Sequence, residues 1–341
     1  MQMRRITRKR KILEIKGLLM ALVLAGSIGV SGCQVGKTKV VFTSGFSDKE
    51  VFRVGGKVCS LSEAKVFLTN YQNLYGTAYG VNLWEQDFGE QDLEQYIKDL
   101  TVSQLARIIS MDFLAEEQKI SLTDEELGKV KQAAEAYYDS LNKEEIKYMD
   151  VNEACIVELY RQYALANKLY AHLTEGISDE VSDDDARVME AYQIYVTTKE
   201  KADAVAAGLA AGTDFLTLAG TYNETESSAV TFGRGQMPKE VEAVAFALDP
   251  KGVSQAIQTE KGYYFIKCIN NYNQELTDAN KKVILEQRRK EAFDDVYDSF
   301  VKTLPSELNE ELWNDVKVEV SDDVRTDSFF EIYEKFFDTA Y

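Results

Sequence analysis

The chain has 341 residues, with 57 Asp and Glu against 39 Lys and Arg, for a formal net charge of −18. A field of that sign repels phosphate backbones, so nucleic-acid binding is excluded. The length exceeds that of a usual single domain, and two modules are expected.

The N-terminus carries Arg4, Arg5, Arg8, Lys9, Arg10 and Lys11, then an apolar run from Gly17 to Val30, then Ser31-Gly32-Cys33. A basic segment, a short apolar segment and small residues at a cleavage point make a secretory signal over residues 1–32. The apolar run is 14 residues, short of the roughly 20 that a spanning helix needs. Val30-Ser31-Gly32-Cys33 resembles the lipobox of bacterial lipoproteins. That resemblance implies diacylglyceryl attachment to Cys33, cleavage before it and acylation of the new N-terminus, which together give stable membrane anchoring on the extracytoplasmic face. Residues 1–32 hold seven basic residues and one acidic residue, so cleavage leaves a net charge of −24.

Residues 33–50 read as a polar tether. Val51–Val58 reads as strand around a Gly55-Gly56 turn, and Ser60 or Ser62 caps a helix from Leu61. Proline occurs only at 238, 250 and 305, so long helices are permitted across residues 61–176. Leu93, Ile97, Leu100, Leu105 and Ile108 fall at helical spacing. So do Ile156, Leu159, Tyr160, Tyr163 and Leu169. Such stripes are core rather than cofactor sites. Ser121–Glu126 reads as a helix cap with an acidic first turn.

The texture changes at Val181. Gln193–Val196 alternates as a strand, Lys199–Ala211 and Phe215–Tyr222 read as short helices, and Thr231–Met237 as a Gly-punctuated loop. Val241–Leu248 reads as a third helix, and Val253–Ile257 and Tyr263–Cys268 as strands. One long helix then runs from about Asn273 to Thr303. Leu312–Val320 alternates as a strand expected to pair near Val54. In the tail, Phe329, Ile332, Tyr333 and Phe336 share one helical face, suited to docking on the body, on a client or on a membrane; acidic neighbours disfavour the membrane. The fold class is α+β: a discontinuous helical domain (51–180 and 273–320), a small α/β domain with an antiparallel sheet (181–272), and an acidic aromatic tail (321–341).

Besides Cys33 there are Cys59, Cys155 and Cys268, with no CxxC spacing. This is neither a disulfide framework nor a zinc site. Free thiols are expected, and a bridge between one pair stays open. His172 is the lone histidine, and no GxSxG elbow accompanies it. Gly36-Lys37-Thr38 fails as a phosphate loop because Ser31 stands where the first Gly is required.

The stretches FGRGQMPKEVEAVAFAL (232–248), VSQAIQTEKGYYFIK (253–267) and AVAAGLAAGTDFLTLAGTYN (204–223) resemble the parvulin-type peptidyl-prolyl isomerases. The order of parts along the chain resembles the envelope foldases of the PrsA and SurA type, in which the helical segments form a chaperone domain. The resemblance implies isomerisation of X–Pro bonds in unfolded exported polypeptides, with no cofactor and no metal. The uncatalysed barrier is about 18–20 kcal/mol, and differential binding of the twisted amide suffices to lower it. By the same resemblance Met237 and Phe246 line the proline slot. Val241 stands where the family has a second Phe, Gln193 and Tyr264 where it has histidines, and Ser228 where it has Asp or Cys. These exchanges imply weak activity. The alternative is a non-catalytic holdase that uses the parvulin fold as a binding module; a third reading is a ligand-binding or structural lipoprotein.

Overall fold

A computed structural model describes residues 45–76 and 93–337; Cys33, the signal segment and most of the tether lie outside the described residues. By internal contacts the chain divides into two units, one of residues 1–176 with 291–341 and the other of residues 177–290.

The first unit opens with β1 (Glu50–Val54) and β2 (Lys57–Ser60), an antiparallel hairpin. Gly55 and Gly56 turn it at φ of 57° and 90°. Gly55 is required for space as well, since a Cβ there would come within 2.8 Å of the Phe113 ring. Ser60 then caps α1 (Leu61–Gly76) with Glu63, its hydroxyl accepting from Glu63 N while its own N donates to Glu63 Oε2. Further helices follow: α2 (Leu93–Glu117), α3 (Asp124–Ser140), α4 (Lys143–Met149) and α5 (Glu153–Thr174). Thr123 with Glu126 and Asn142 with Glu145 form reciprocal capping boxes on α3 and α4, which satisfy amides a helix start leaves open.

The second unit comprises α6 (Asp183–Ala186), β3 (Val188–Val196), α7 (Lys199–Ala210), α8 (Phe215–Tyr222), β4 (Ala229–Gly233), α9 (Lys239–Ala245), β5 (Ile257–Thr259) and β6 (Gly262–Asn270). Its strands form one antiparallel sheet in the order β4-β3-β6-β5. The stretch read as a loop from Thr231 thus begins inside strand β4. Gly262 opens β6 at φ 154°, where a Cβ would lie 2.5 Å from the Val196 carbonyl oxygen, so this turn needs glycine.

The helix α10 (Gln274–Val301) begins in the second unit and ends in the first. After it, β7 (Ser306–Leu308) pairs with β1, Val54 facing Ser306 and Phe52 facing Leu308. The returning strand therefore lies ahead of the expected Leu312–Val320. Glu310–Asp315 is instead a short helix, α11, whose N-cap Asn309 accepts from Leu312 N. Beyond it, side chains rather than a neighbouring strand satisfy the backbone. Buried Lys98 donates to the carbonyls of Asn314 and Val316, Tyr148 to that of Lys317 and Gln72 to that of Glu319. Burial pulls the Lys98 ammonium below its ordinary range.

The tail docks on its own unit. Phe329, Phe330, Ile332 and Tyr333 of α12 (Phe329–Phe336) are all buried in the helical core. Phe329 stacks on Tyr160 with ring centroids 4.2 Å apart, and its backbone is held at both ends: its N donates to Asn70 Oδ1 at 3.0 Å and its O accepts from the Tyr160 hydroxyl at 2.7 Å. Buried Glu145 Oε1 accepts from Arg325 N and Thr326 N just before it. Truncating a fully buried Phe costs about 3–5 kcal/mol. Phe329→Ala is therefore expected to lower the urea midpoint of the helical unit by that equivalent; an unchanged midpoint would show that the tail is not part of the core.

Candidate active site

The site is built on β3, which is central in its sheet and covered on both faces. Along β3, side chains alternate between two apolar layers. Met189 and Ala191 join Ile266 and Cys268 of β6, Phe232 of β4 and Val241, Ala245 and Phe246 of the α9 segment. Ile194 and Val196 join Phe265, α7 and α8 on the opposite side. Gln193 shares the parity of Met189 and Ala191, so it belongs to the α9 face, directly across from Ile266.

Four of the six candidate residues meet in one cluster on that face: Val241 and Phe246 are buried in it, and Met237 and Tyr264 pack against it partly buried. Met237 is placed by the loop after β4. Gly233 N donates to Gln236 Oε1 and Met237 N to Glu242 Oε1, so α9 holds the loop that precedes it. Phe246 meets Phe232 edge-on at 5.6 Å, and the guanidinium carbons of Arg234 and Arg187 lie 4.5 and 5.4 Å from its ring centroid. Met237, Val230, Leu248 and Tyr264 are the partly buried apolar side chains packed against this cluster, and Phe246 is buried within it.

Gln193 is almost fully buried, and its amide Nε2 donates to Thr225 Oγ1 and to the Ser227 carbonyl, each at 3.2 Å. Its backbone N donates to the Ser228 carbonyl at 2.7 Å. Ser228 thus meets Gln193 through its backbone, and the side-chain amide goes to Thr225 and Ser227 rather than to Ser228 or Tyr264. The network continues from Thr225 to Asn223, whose Oδ1 accepts from Tyr195 N at 2.9 Å. Asn223 and Thr225 were not singled out from the sequence; the polar run Asn-Glu-Thr-Glu-Ser after α8 was the available signal. Tyr264 pairs across strands with Tyr195, rings 4.7 Å apart and tilted by 43°. Its phenol is pushed above the ordinary range, first by burial and then by Tyr195. Cys268, on the same face, is also raised, mainly by burial.

A separate depression of about 390 Å³ opens on the other side of the sheet, lined by Leu209, Phe215, Val253, Phe265 and Lys267 among others. It contains none of the candidate residues. Cys59, Cys155 and Cys268 are free thiols. Among the described residues no group of three or more His, Cys, Asp or Glu is arranged to hold a metal ion, and no helix is long and apolar enough to cross a membrane.

Residues 178–282 match the family described as the PPIC-type PPIase domain, so the chain carries a domain of the parvulin type. The chain is also similar to proteins named foldase protein PrsA. The relative from Geobacillus kaustophilus is 29% identical over 187 residues, which are 51% of this chain and 62% of that protein. The chain therefore spans less than two thirds of that relative. Foldase protein PrsA 4 of Bacillus cereus is 24% identical over 76% of this chain and 90% of its own. Among solved structures, the peptidylprolyl isomerase PrsA from Bacillus cereus aligns with 23% identity over 69% of this chain and 90% of that chain, at a TM-score of 0.36.

Neither Gln193 nor any other polar side chain touching it titrates near neutrality, and the Tyr264 phenol is displaced upward. Any X–Pro isomerisation at this site is expected to have a rate constant that is flat from about pH 6 to 8. A step near pH 6.5 in a pH profile would mean that a titrating group takes part.

Proposed function

We propose that this chain is an extracytoplasmic foldase that assists exported polypeptides by binding, and slowly isomerising, X–Pro bonds on the α9 face of its parvulin-type domain. The observation that carries the reading is the convergence of Met237, Val241 and Phe246 with Tyr264 on one face of the sheet, within the segment that matches the isomerase family. An apolar slot of this kind grips the proline ring by burial, at about 25 cal/mol per Å² of apolar surface. The Gln193–Thr225–Asn223 network ties the connection between α8 and β4 to the central strand β3 beside it. A twisted amide has lost its resonance, so its nitrogen accepts hydrogen bonds and its carbonyl is less polar. A site that fits this form better than the planar one accelerates rotation without forming a covalent bond. The helical unit, in this reading, is the chaperone domain, formed from residues 51–180 and 273–320 with the docked tail. Cys33 is the lipidated residue that, with the tether to residue 50, keeps the protein at the outer face of the membrane.

A second reading, a holdase without turnover, is favoured by Val241. It is fully buried and smaller than the Phe of the family at that place, so the slot offers proline one ring fewer.

A protease-coupled assay on an X–Pro peptide, run beside light scattering of an aggregating client, separates the two. Isomerase function predicts turnover above background that falls at least tenfold in Met237→Ala, on the order of 1.4 kcal/mol of transition-state stabilisation. Suppressed aggregation with no turnover would select the holdase. The anchor has its own check: Cys33→Ala is expected to release the protein into the soluble fraction or leave an uncleaved precursor. Normal processing with retained membrane association would remove the lipid from the account.

A further inference from the structure

The sheet of the second unit has an open edge beside the depression on its α7–α8 face. Ahead of β5 the chain lies along β6: Ser254 N donates to Ile266 O at 2.8 Å, Cys268 N donates to Gly252 O at 2.9 Å, and Val253 stands opposite Lys267. Those two bonds flank Val253, so its own N–H and C=O point away from β6. Among the described residues neither group has a partner. Side chains alternate along a strand, so Val253 shares a face with Lys267 and Phe265. It is 40% exposed, and it lines the depression of about 390 Å³ together with Leu209, Phe215 and Phe265. An extra residue separates Val253 from Ile257, relative to the partner positions on β6. Such a bulge interrupts the edge and leaves only a short stretch of it for pairing.

We propose that this edge and the depression beside it form a second peptide site, which takes an extended segment with one bulky aromatic or aliphatic side chain flanked by Lys or Arg. The site stands apart from the proline slot and does not depend on it. A segment added at the edge pairs its backbone with the free N–H and C=O of Val253, as in recognition by strand addition. Neighbouring strands present paired residues on the same face, so the residue opposite Val253 lowers its side chain toward the depression. Its volume lies within the range of about 300–1,000 Å³ typical of ligand pockets. The charges that line it, Asp214 and Lys267, stand 4.0 Å apart and cancel. An uncharged side chain therefore enters without leaving a charge unpaired. Around the mouth the field is negative: residues 177–290 hold 18 acidic and 13 basic residues, which favours basic flanks. Proline opposite Val253 would lack the N–H that the pairing needs. The two faces of the domain thus take opposite kinds of segment, one centred on proline and one that excludes it.

The test uses the full chain in detergent at about 0.15 M salt and a fluorescein-labelled peptide, Lys-Ser-Thr-Phe-Thr-Ser-Lys. In anisotropy titrations, Ala in place of the Phe should raise Kd about tenfold. N-methylation of the Phe amide should raise it about fivefold or more, whereas methylation of the next Thr amide, which points away from the edge, should change it by less than about twofold. Glu in place of both Lys should weaken binding about threefold. In NMR spectra the bound peptide should shift the Val253 amide and the Leu209 methyls and leave the Met237 methyl in place. Val253→Pro removes the edge donor and keeps the bonds made by Ser254 and Cys268, so it should reproduce the loss seen on methylating the Phe amide. If that variant does not fold, the peptide series decides alone. Absence of binding overturns the proposal. Equal loss from methylation at the two amides overturns strand addition, equal affinity for the Glu-flanked peptide overturns the charge preference, and shifts centred on Met237 would assign the peptide to the proline slot instead. Failure of proline peptides to bind the α9 face would leave every one of these outcomes unchanged.

Discussion

The pairing of β3 with β6 decides what this domain can do. In that register Gln193 faces Ile266, Ile194 faces Phe265 and Tyr195 faces Tyr264. Strand side chains alternate, so a slip of one residue would exchange the two faces. If β3 slipped, Gln193 would point at α7 and α8 and Ile194 at α9. Burial on both faces makes that slip costly, and Gly262 pins the turn at one end because no side chain fits beside the Val196 carbonyl. The positions of Gln193 and Tyr264 on the α9 face follow from this register.

What stands on that face is an apolar floor with a polar edge rather than a set of acids and bases. Gln193 occupies a position deep enough that its amide must be satisfied, and Thr225 with the Ser227 carbonyl does so. A buried polar group left unpaired would cost about 1–3 kcal/mol. This places Gln193 as a rigid structural member whose hydrogen bonds tie the α8–β4 connection to the central strand. Rotation about a prolyl amide asks for shape and desolvation more than for proton transfer, so the exchange of titrating groups for neutral ones is compatible with the chemistry.

Much of this was legible from residues alone. The alternation in Tyr263–Cys268, the glycines and Met237 ahead of the α9 helix, and the Ala-rich helix closed by Gly212 all lie where their patterns put them. The failures have local causes. Val316, Val318 and Val320 alternate as a strand does, yet the segment's carbonyls bond to Lys98, Tyr148 and Gln72 from helices distant in sequence. No local pattern encodes such partners. The pairing strand Ser306–Leu308 is three residues long, too short for a period to register. The tail's apolar face was readable, but its acceptor was not. That acceptor is a cluster of Tyr137, Tyr160 and Tyr163 with Asn70, gathered from three helices. The partner of Gln193 was missed for the same reason: Thr225 lies 32 residues away.

An X–Pro segment is proposed to sit on the α9 face. This is tested most directly by methyl and side-chain amide NMR of the full chain, titrated with a single-proline peptide and with its Ala-substituted control. The account predicts shifts at the Met237 methyl, the Val241 methyls and the Gln193 side-chain amide that appear with the proline peptide and not with the control. Shifts confined to Leu209, Val253 and the other groups around the opposite depression, or no proline-dependent shift at all, would contradict it.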